Sequence, residues 1–265
     1  SNPNNYVSFN NELWRIIGIF KDNVKLIRKD SLGWLSWDSS DGSINGGWGV
    51  NEWSASDLKN YLNTMYYGGD TTVTCYGDII NETRACPTDT LDNAIKSLID
   101  NHTWNTGAPN YDTLYDSTKS SYDTVEFYNA ERGSVNGKIC SSGNNCNDTV
   151  TRKTEWTGYI ALPYVTDWAY ASSESVCETN MQTKDDSNVY ICKNNNWMSA
   201  TMWMLSPGVN GSSAYNAWDV RGGYVSSGTV AVSNNIFPTI YLKSNILIES
   251  GNGTSDNPYI LKAGA

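Results

Sequence analysis

Three kinds of residue in this chain could do chemistry: six cysteines, one histidine and scattered carboxylates. The cysteines fall into close pairs: Cys75 with Cys86, Cys140 with Cys146, Cys177 with Cys192. Other pairings are formally open, but the spacing favours three local disulfides. Closing a loop of about 15 residues this way stabilises a chain by roughly 3 kcal/mol in the entropy model. Zinc is the rival use of cysteine. It is disfavoured, because no Cys-x-x-Cys occurs and His102 is the only histidine. Paired cysteines imply an oxidising compartment.

A nucleophilic triad needs a histidine held by an acid. His102 stands in Asn101-His102-Thr103-Trp104 and reads as a cap or a surface residue. A glycosidase needs two carboxylates about 5–9 Å apart. Glu126, Glu131, Glu155 and Asp167 are available, and the sequence does not set their separation. Asp38-Ser39-Ser40-Asp41 and Lys184-Asp185-Asp186-Ser187-Asn188 carry oxygen ligands suited to Ca2+. Both also read as solvated loops, and neither is an EF-hand. The expectation is a protein without enzymatic activity and without a cofactor, with Ca2+ the one ion left open.

Binding chemistry is more prominent. Between Trp197 and Leu242 the chain is rich in Ser, Gly, Asn, Tyr and Trp, with Asp219 and Arg221 its only charges besides the flanks. Antibody combining sites share that composition. Tyr and Trp give contact area at low rotamer cost, and Ser, Gly and Asn give adaptable hydrogen bonds. Val220, Tyr224, Val225, Val230 and Val232 read as strand, with turns at Gly222-Gly223 and Ser227-Gly228. A plain surface hairpin has the same signature. The energetic expectation is that Val220, Val225, Val230 and Val232 serve as scaffold, while Tyr215, Trp218, Asp219, Arg221 and Tyr224 reach solvent.

The formal net charge of −10 disfavours phosphate backbones and anionic membranes as partners, so no nucleic acid is expected. Only 17% of residues are charged, and 11 Trp and 17 Tyr stand against four Phe. Such rings favour half-buried positions with a polar edge. No apolar run is long enough to span a bilayer, so no membrane insertion by this segment is expected. Asn81, Asn101, Asn147, Asn210 and Asn252 begin Asn-x-Ser/Thr sequons.

These residues need a frame. Tyr6 to Phe9, Leu13 to Phe20 and Val24 to Arg28 predict strands, turning at Asn10-Asn11 and Lys21-Asp22-Asn23. Trp53 to Leu58 opens a helix, capped by Ser54 or Ser56, with Leu58, Tyr61, Leu62 and Met65 on one face and Gly68-Gly69 as its stop. A second helix is predicted after Thr88 or Asp89, burying Leu91, Ala94, Ile95, Leu98 and Ile99. Asp123 to Arg132 is compatible with helix or strand. Trp156 to Tyr170 reads as a strand into a turn, with Pro163 disfavouring a central position. The early strands need partners, and Ile240-Tyr241-Leu242 and Leu247-Ile248 can supply them. The ends should meet in one mixed sheet of an α+β domain spanning residues 1–265, with two helices and long disulfide-stapled loops. Ser1-Asn2-Pro3 starts in mid-stride, as in an ectodomain cut from a longer protein.

The ordered motifs W-R-I-I-G-I (Trp14 to Ile19), W-S-x-S-x-L-x-x-Y-L-N (Trp53 to Asn63), G-Y-I-A-L-x-Y-V-T-D (Gly158 to Asp167), W-M-L-S-P (Trp203 to Pro207), F-P-x-I-Y-L-K-S (Phe237 to Ser244) and S-G-N-G-T-S-D-N-P-Y (Ser250 to Tyr259) are spread along most of the chain. Together they resemble surface-exposed domains of gut-type Gram-positive bacteria and their phages. The resemblance implies the C-type-lectin-like fold in the form shared with formylglycine-generating enzymes. That fold also serves the variable proteins of diversity-generating retroelements, whose mutable positions lie in a C-terminal segment. By position, the resemblance implies a ligand face of Asn210, Tyr215, Asn216, Trp218, Asp219, Arg221, Tyr224, Ser226 and Asn234. The Gly-Phe-Arg ending common in that fold reads Ile236-Phe237-Pro238 here. The calcium triplets of sugar-binding lectins do not occur.

The expected function is therefore ligand binding, of the adhesion or receptor type, at an extracellular cell surface or on a phage particle. The ligand would be a protein or a glycan on another cell or surface. A pilin-like or surface-layer subunit and a glycan-active enzyme are the alternatives.

Overall fold

The computed structural model describes residues 2–39, 47–78, 81–133, 150–182, 187–198, 200–210 and 213–264, with the side chains at 210 and 213 outside that set. The expected Cys140–Cys146 bridge, Asn147, Ser40-Asp41 and Lys184 to Asp186 lie outside the described residues.

The chain opens with a meander of β1 (Tyr6–Phe9), β2 (Glu12–Phe20) and β3 (Asn23–Arg28). Asn10 and Asn11 link the first two, both with positive φ, a conformation asparagine tolerates and a tight hairpin needs. After β4 (Trp34–Ser36), a short turn at Trp53–Ala55 leads into α1 (Asp57–Asn60). Ser56 caps it, its hydroxyl accepting from the Lys59 N–H. The helix widens into one π turn, Tyr61–Tyr66, and stops at Gly68-Gly69. Leu58, Tyr61, Leu62 and Met65 are all buried, as the periodicity predicts.

The small hairpin of β5 (Cys75–Tyr76) and β6 (Thr83–Arg84) sits in the loop closed by the Cys75–Cys86 disulfide. The second helix departs from expectation. Only one turn forms, α2 (Asn93–Lys96), and Asp92 rather than Thr88 or Asp89 precedes it. Tertiary partners explain this. Asp89 pairs with Arg28, Leu91 N–H bonds the Tyr66 carbonyl, and Ile99 bridges to Leu242 in extended form. Leu91 and Ile99 are buried, while Ala94 is exposed.

Then follow β7 (His102–Asn105), α3 (Tyr111–Leu114), β8 (Tyr115–Asp116), β9 (Ser121–Asp123) and α4 (Thr124–Glu131). Asp123 caps α4 through the N–H groups of Val125 and Glu126, which decides the helix-or-strand ambiguity. β10 (Glu155–Gly158) and β11 (Ile160–Ala161) precede α5 (Val165–Tyr170), where the sequence predicts only a turn. Asp167 closes the first turn of α5 by accepting from the Tyr164 N–H. A loop containing β12 (Asn180–Met181) is held by the Cys177–Cys192 disulfide.

The remaining strands are β13 (Met202–Asn210), β14 (Ser213–Arg221), β15 (Tyr224–Thr229), β16 (Ser233–Asn235), β17 (Thr239–Tyr241), β18 (Ile246–Ser250) and β19 (Tyr259–Ala263). Ser227-Gly228, expected as a turn, lies inside β15. Gly222-Gly223 does form the β14–β15 turn.

The ends meet in one seven-stranded sheet, ordered β11-β17-β3-β2-β1-β19-β18. β1 runs parallel to β19 and every other pair is antiparallel, so the sheet is mixed. Pro163 follows an edge strand, in keeping with proline's missing N–H. Leu247 and Ile248 join this sheet but do not cover Ile19. The three are 52%, 57% and 71% exposed.

β13-β14-β15 form a second sheet. Trp203, Leu205, Ala217 and Val230 enter one core cluster with Trp14, Trp37, Trp53 and Trp104. Met202, Met204, Trp218, Val220 and Val225 enter another with Phe127, Trp168 and both Cys177 and Cys192. Alternate residues of the sheet thus face two cores.

Candidate functional site

That arrangement relocates much of the expected ligand face. Trp218 is fully buried. Its ring packs edge-on against Phe127 and Tyr122, at 4.8 and 5.4 Å between centroids, and its Nε1 donates to the Pro109 carbonyl at 3.1 Å. Asp219 and Asn234 are buried too. Asp219 accepts from Arg221 Nε at 2.7 Å, and burial pushes its carboxyl up to about 6 against the opposing pull of Arg221 and Ser226. A Cβ at Gly228 would run into the Arg221 guanidinium, so that glycine lets the arginine lie back over the strand. Of the expected scaffold valines, Val220, Val225 and Val230 are buried and Val232 is exposed.

Tyr215, Asn216, Tyr224 and Ser226 remain half-buried, and Arg221 is exposed. The side chain of Asn210 lies outside the described residues. Tyr215 packs near Trp48, centroids 6.2 Å apart, whereas Tyr224 stacks on Tyr190 at 4.8 Å. Tyr224 pairs with Arg221, six residues from Tyr215. At about 3.3 Å per residue the two tyrosines stand roughly 20 Å apart along the hairpin. The expected residues therefore do not form one compact face.

A different part of the molecule does converge. A cleft of about 600 Å³ opens where the edge of the seven-stranded sheet meets β7, α4 and the start of α5. Its volume is within the usual range for small-molecule sites. Trp104, Tyr164 and Tyr241 form an aromatic floor; Lys21, Asn23, Asp100, Asn101, His102, Asn105, Tyr128 and Arg132 bring polar groups to it.

Each wall has a local cause. β7 pairs with β10 in the register Trp104↔Trp156 and His102↔Gly158, which turns His102 and Trp104 to the same side. Gly158 leaves room for the Trp156 ring, and its carbonyl accepts from Trp104 Nε1 at 3.1 Å. His102 lies on the Tyr241 ring, centroids 3.7 Å apart. Its Nδ1 is 3.0 Å from Asp100 Oδ2, and Asn23 Nδ2 reaches the same oxygen at 3.4 Å. An acid therefore does hold this histidine, contrary to the reading of His102 as a cap or surface residue. Among the described residues Nε2 has no partner.

Beneath the floor, Lys25 Nζ bonds Asp167 Oδ2 at 2.5 Å and sits 4.2 Å from the Tyr164 ring centroid. Burial lowers the lysine despite the attraction of Asp167. Glu131 is wholly buried; its carboxylate accepts from the Val165 N–H at 2.7 Å and the Thr166 hydroxyl at 2.6 Å. Desolvation pushes it up to about 7. Burial likewise drives Tyr164 and Tyr241 well upward, so both are neutral phenols at ordinary pH.

These bonds give two of the four candidate carboxylates, Glu131 and Asp167, a structural place. Glu131 and Asp167 hold the start of α5, and Asp100 is the one carboxylate among the described residues lining the cleft. The Asp38 carboxylate accepts from the Val50 and Asp57 N–H groups at 2.7 and 3.3 Å. Among the described residues no group of three or more His, Cys, Asp or Glu side chains could hold a metal ion. No described helix is long and apolar enough to cross a membrane. The two described disulfides fit an oxidising compartment.

No protein-family model, curated protein or solved structure matches the chain.

Proposed function

We propose that this chain is an extracellular ligand-binding domain of C-type-lectin-like architecture, acting at a bacterial or phage surface, and that it captures its ligand in the cleft around His102. The observation carrying this reading is the convergence of the Asp100-held His102, Arg132 and three buried aromatic rings on one cavity. Rings supply apolar area and the few polar groups fix orientation, the usual division of labour in a binding site. The lectin-like architecture is supported by the adjacency of N- and C-terminal strands and by a separate three-stranded sheet late in the chain. Arg221, Tyr224 and Ser226 would form an outer contact, open to diversification by a retroelement. A reverse transcriptase gene beside the coding sequence, with a near-repeat of its 3′ end, is the test of that last element.

The cleft is tested by comparing the wild type, His102→Ala and Tyr224→Ala on a glycan array and on intact bacterial cells. Melting temperature verifies folding. Binding lost in His102→Ala and only weakened in Tyr224→Ala is the expected result. A folded His102→Ala protein that binds like the wild type ends this reading.

One observation favours a second function, a self-assembling surface subunit. Ile19, Leu247 and Ile248 expose apolar side chains beside the open edge of β18. Exposed apolar area next to an unpaired edge promotes association. Sedimentation that depends on protein concentration, abolished by Ile248→Lys, would support it.

A further inference from the structure

Resting on the cleft as the binding site, we propose that its ligand is an acidic sugar whose carboxylate is held by Arg132.

Arg132 follows α4 and lines the cleft, its side chain 18% exposed. Its guanidinium lies 3.5 Å over the Tyr128 ring centroid and 4.6 Å from that of Tyr164. Nη1 faces inward, donating to the Tyr128 carbonyl at 3.3 Å and standing 3.6 Å from Glu131 Oε2. Among the described residues nothing pairs with Nε or Nη2. Those two donors form the side-on edge of the guanidinium. That edge matches the two oxygens of a carboxylate, and such bidentate pairs are the stronger hydrogen-bonded ones. The rings flanking the guanidinium fix its plane, so little order is lost on binding.

The remaining chemistry of the cleft narrows the anion. Among the described residues Arg132 is the one half-buried cation in the wall; Lys21 is exposed at the rim, and Lys25 is already matched by Asp167. Asp100 stands in the same wall. A single negative charge is balanced by Arg132, whereas a dianionic phosphate would be undercompensated and repelled by Asp100. The other groups suit hydroxyls. Asn101 and Asn105 have side-chain amides with no partner among the described residues, and His102 presents Nε2. Amides and imidazole both donate and accept, as sugar hydroxyls require.

Calorimetric titration with glucuronate, galacturonate and N-acetylneuraminate, against glucose, galactose, N-acetylmannosamine and inorganic phosphate, tests the proposal. At least one acid should bind at least tenfold more tightly than its neutral counterpart and than phosphate. Arg132→Lys keeps the charge and removes the fork. It should lose that preference, binding the acid no more tightly than its neutral counterpart, with an unchanged melting temperature. Equal binding of acid and neutral sugar overturns the proposal, and so does phosphate binding as tightly as the acids. If no acid binds while His102→Ala still loses surface binding, the acidic-sugar claim falls and the cleft stands. If His102→Ala binds those surfaces normally, both fall.

Discussion

The Trp218 indole donates from Nε1 to the carbonyl of Pro109 at 3.1 Å, across 109 positions of sequence. That bond ties the middle of β14 to the segment before α3 and satisfies the ring's one polar atom inside a core. Buried tryptophans with a paired N–H act as large apolar units. Trp218→Ala should therefore destabilise the protein by about 3–5 kcal/mol. Tyr224→Ala, at a half-buried ring, should cost only about 1 kcal/mol. Urea unfolding followed by fluorescence measures both. Equal midpoints for the two variants would place Trp218 outside the core.

The disulfides separate in the same way. Each closes a short loop, with separations of 11 and 15 residues, so each should contribute about 3 kcal/mol by loop entropy. Cys177 and Cys192 are both fully buried in the second core cluster, whereas Cys86 is partly exposed. Replacing Cys177 and Cys192 by Ser would also bury hydroxyls without assured partners. That pair of substitutions should cost more than replacing Cys75 and Cys86. Peptide mapping without reductant verifies the connectivity, and a cross-link between the two loops would contradict it.

Much of the frame was legible because its signals are local. The asparagine turn at Asn10-Asn11, the Ser56 cap and the apolar run of β2 each depend on neighbours in sequence. The demand of β1 to β3 for partners also pointed correctly to the C-terminal strands. What failed depended on distant contacts. Leu91 and Ile99 fit a helix pattern, yet the core takes them as extended chain. Trp218 sits in a polar, glycine-rich stretch that reads as surface, and only the packing of β14 between two cores buries it. The cleft was missed for a related reason. His102 and Asp100 are two residues apart, a separation with no motif, while Tyr241, Tyr164 and Arg132 arrive from three other elements. The one available signal was Asp100-x-His102 entering a strand.

Lys25 and Asp167 meet in the interior at 2.5 Å, with the ammonium close to four aromatic rings. Removing one partner strands the other in a low-dielectric site, which typically costs about 3–5 kcal/mol. Asp167 also bonds the Tyr164 N–H, so Asp167→Ala leaves two orphaned donors. Asp167→Ala should thus be the more damaging single change, compared with Lys25→Met. Combining Lys25→Met with Asp167→Asn should recover part of the loss, since the charge is gone and the amide oxygen still accepts from Tyr164. Chemical denaturation of the three variants tests this. A double variant less stable than Asp167→Ala would show that the pair is not the source of the cost.

Glu131 gives the fold a pH dependence of definite sign. Its carboxyl titrates near 7 in the folded chain and near its ordinary 4.5 when unfolded, because burial penalises the charge more than Arg132, Thr166 and the Val165 N–H favour it. Asp167 beside it pushes the same way as burial. Between those values the folded state holds a proton that the unfolded state has released. Stability is therefore fully present below about 4.5 and falls as pH rises towards 7. The shift corresponds to a loss on the order of 3 kcal/mol. Asp219, raised to about 6, contributes in the same direction over a lower window. Glu131→Gln removes the titration, and its carbonyl oxygen can still accept from the Val165 N–H. Urea unfolding at pH 5, 6, 7 and 8 should show the wild type losing stability across the series. The variant should lose markedly less above pH 6, where Asp219 has largely titrated. Parallel curves for the two proteins would mean that Glu131 is ionised throughout, held by Arg132 more strongly than burial opposes it.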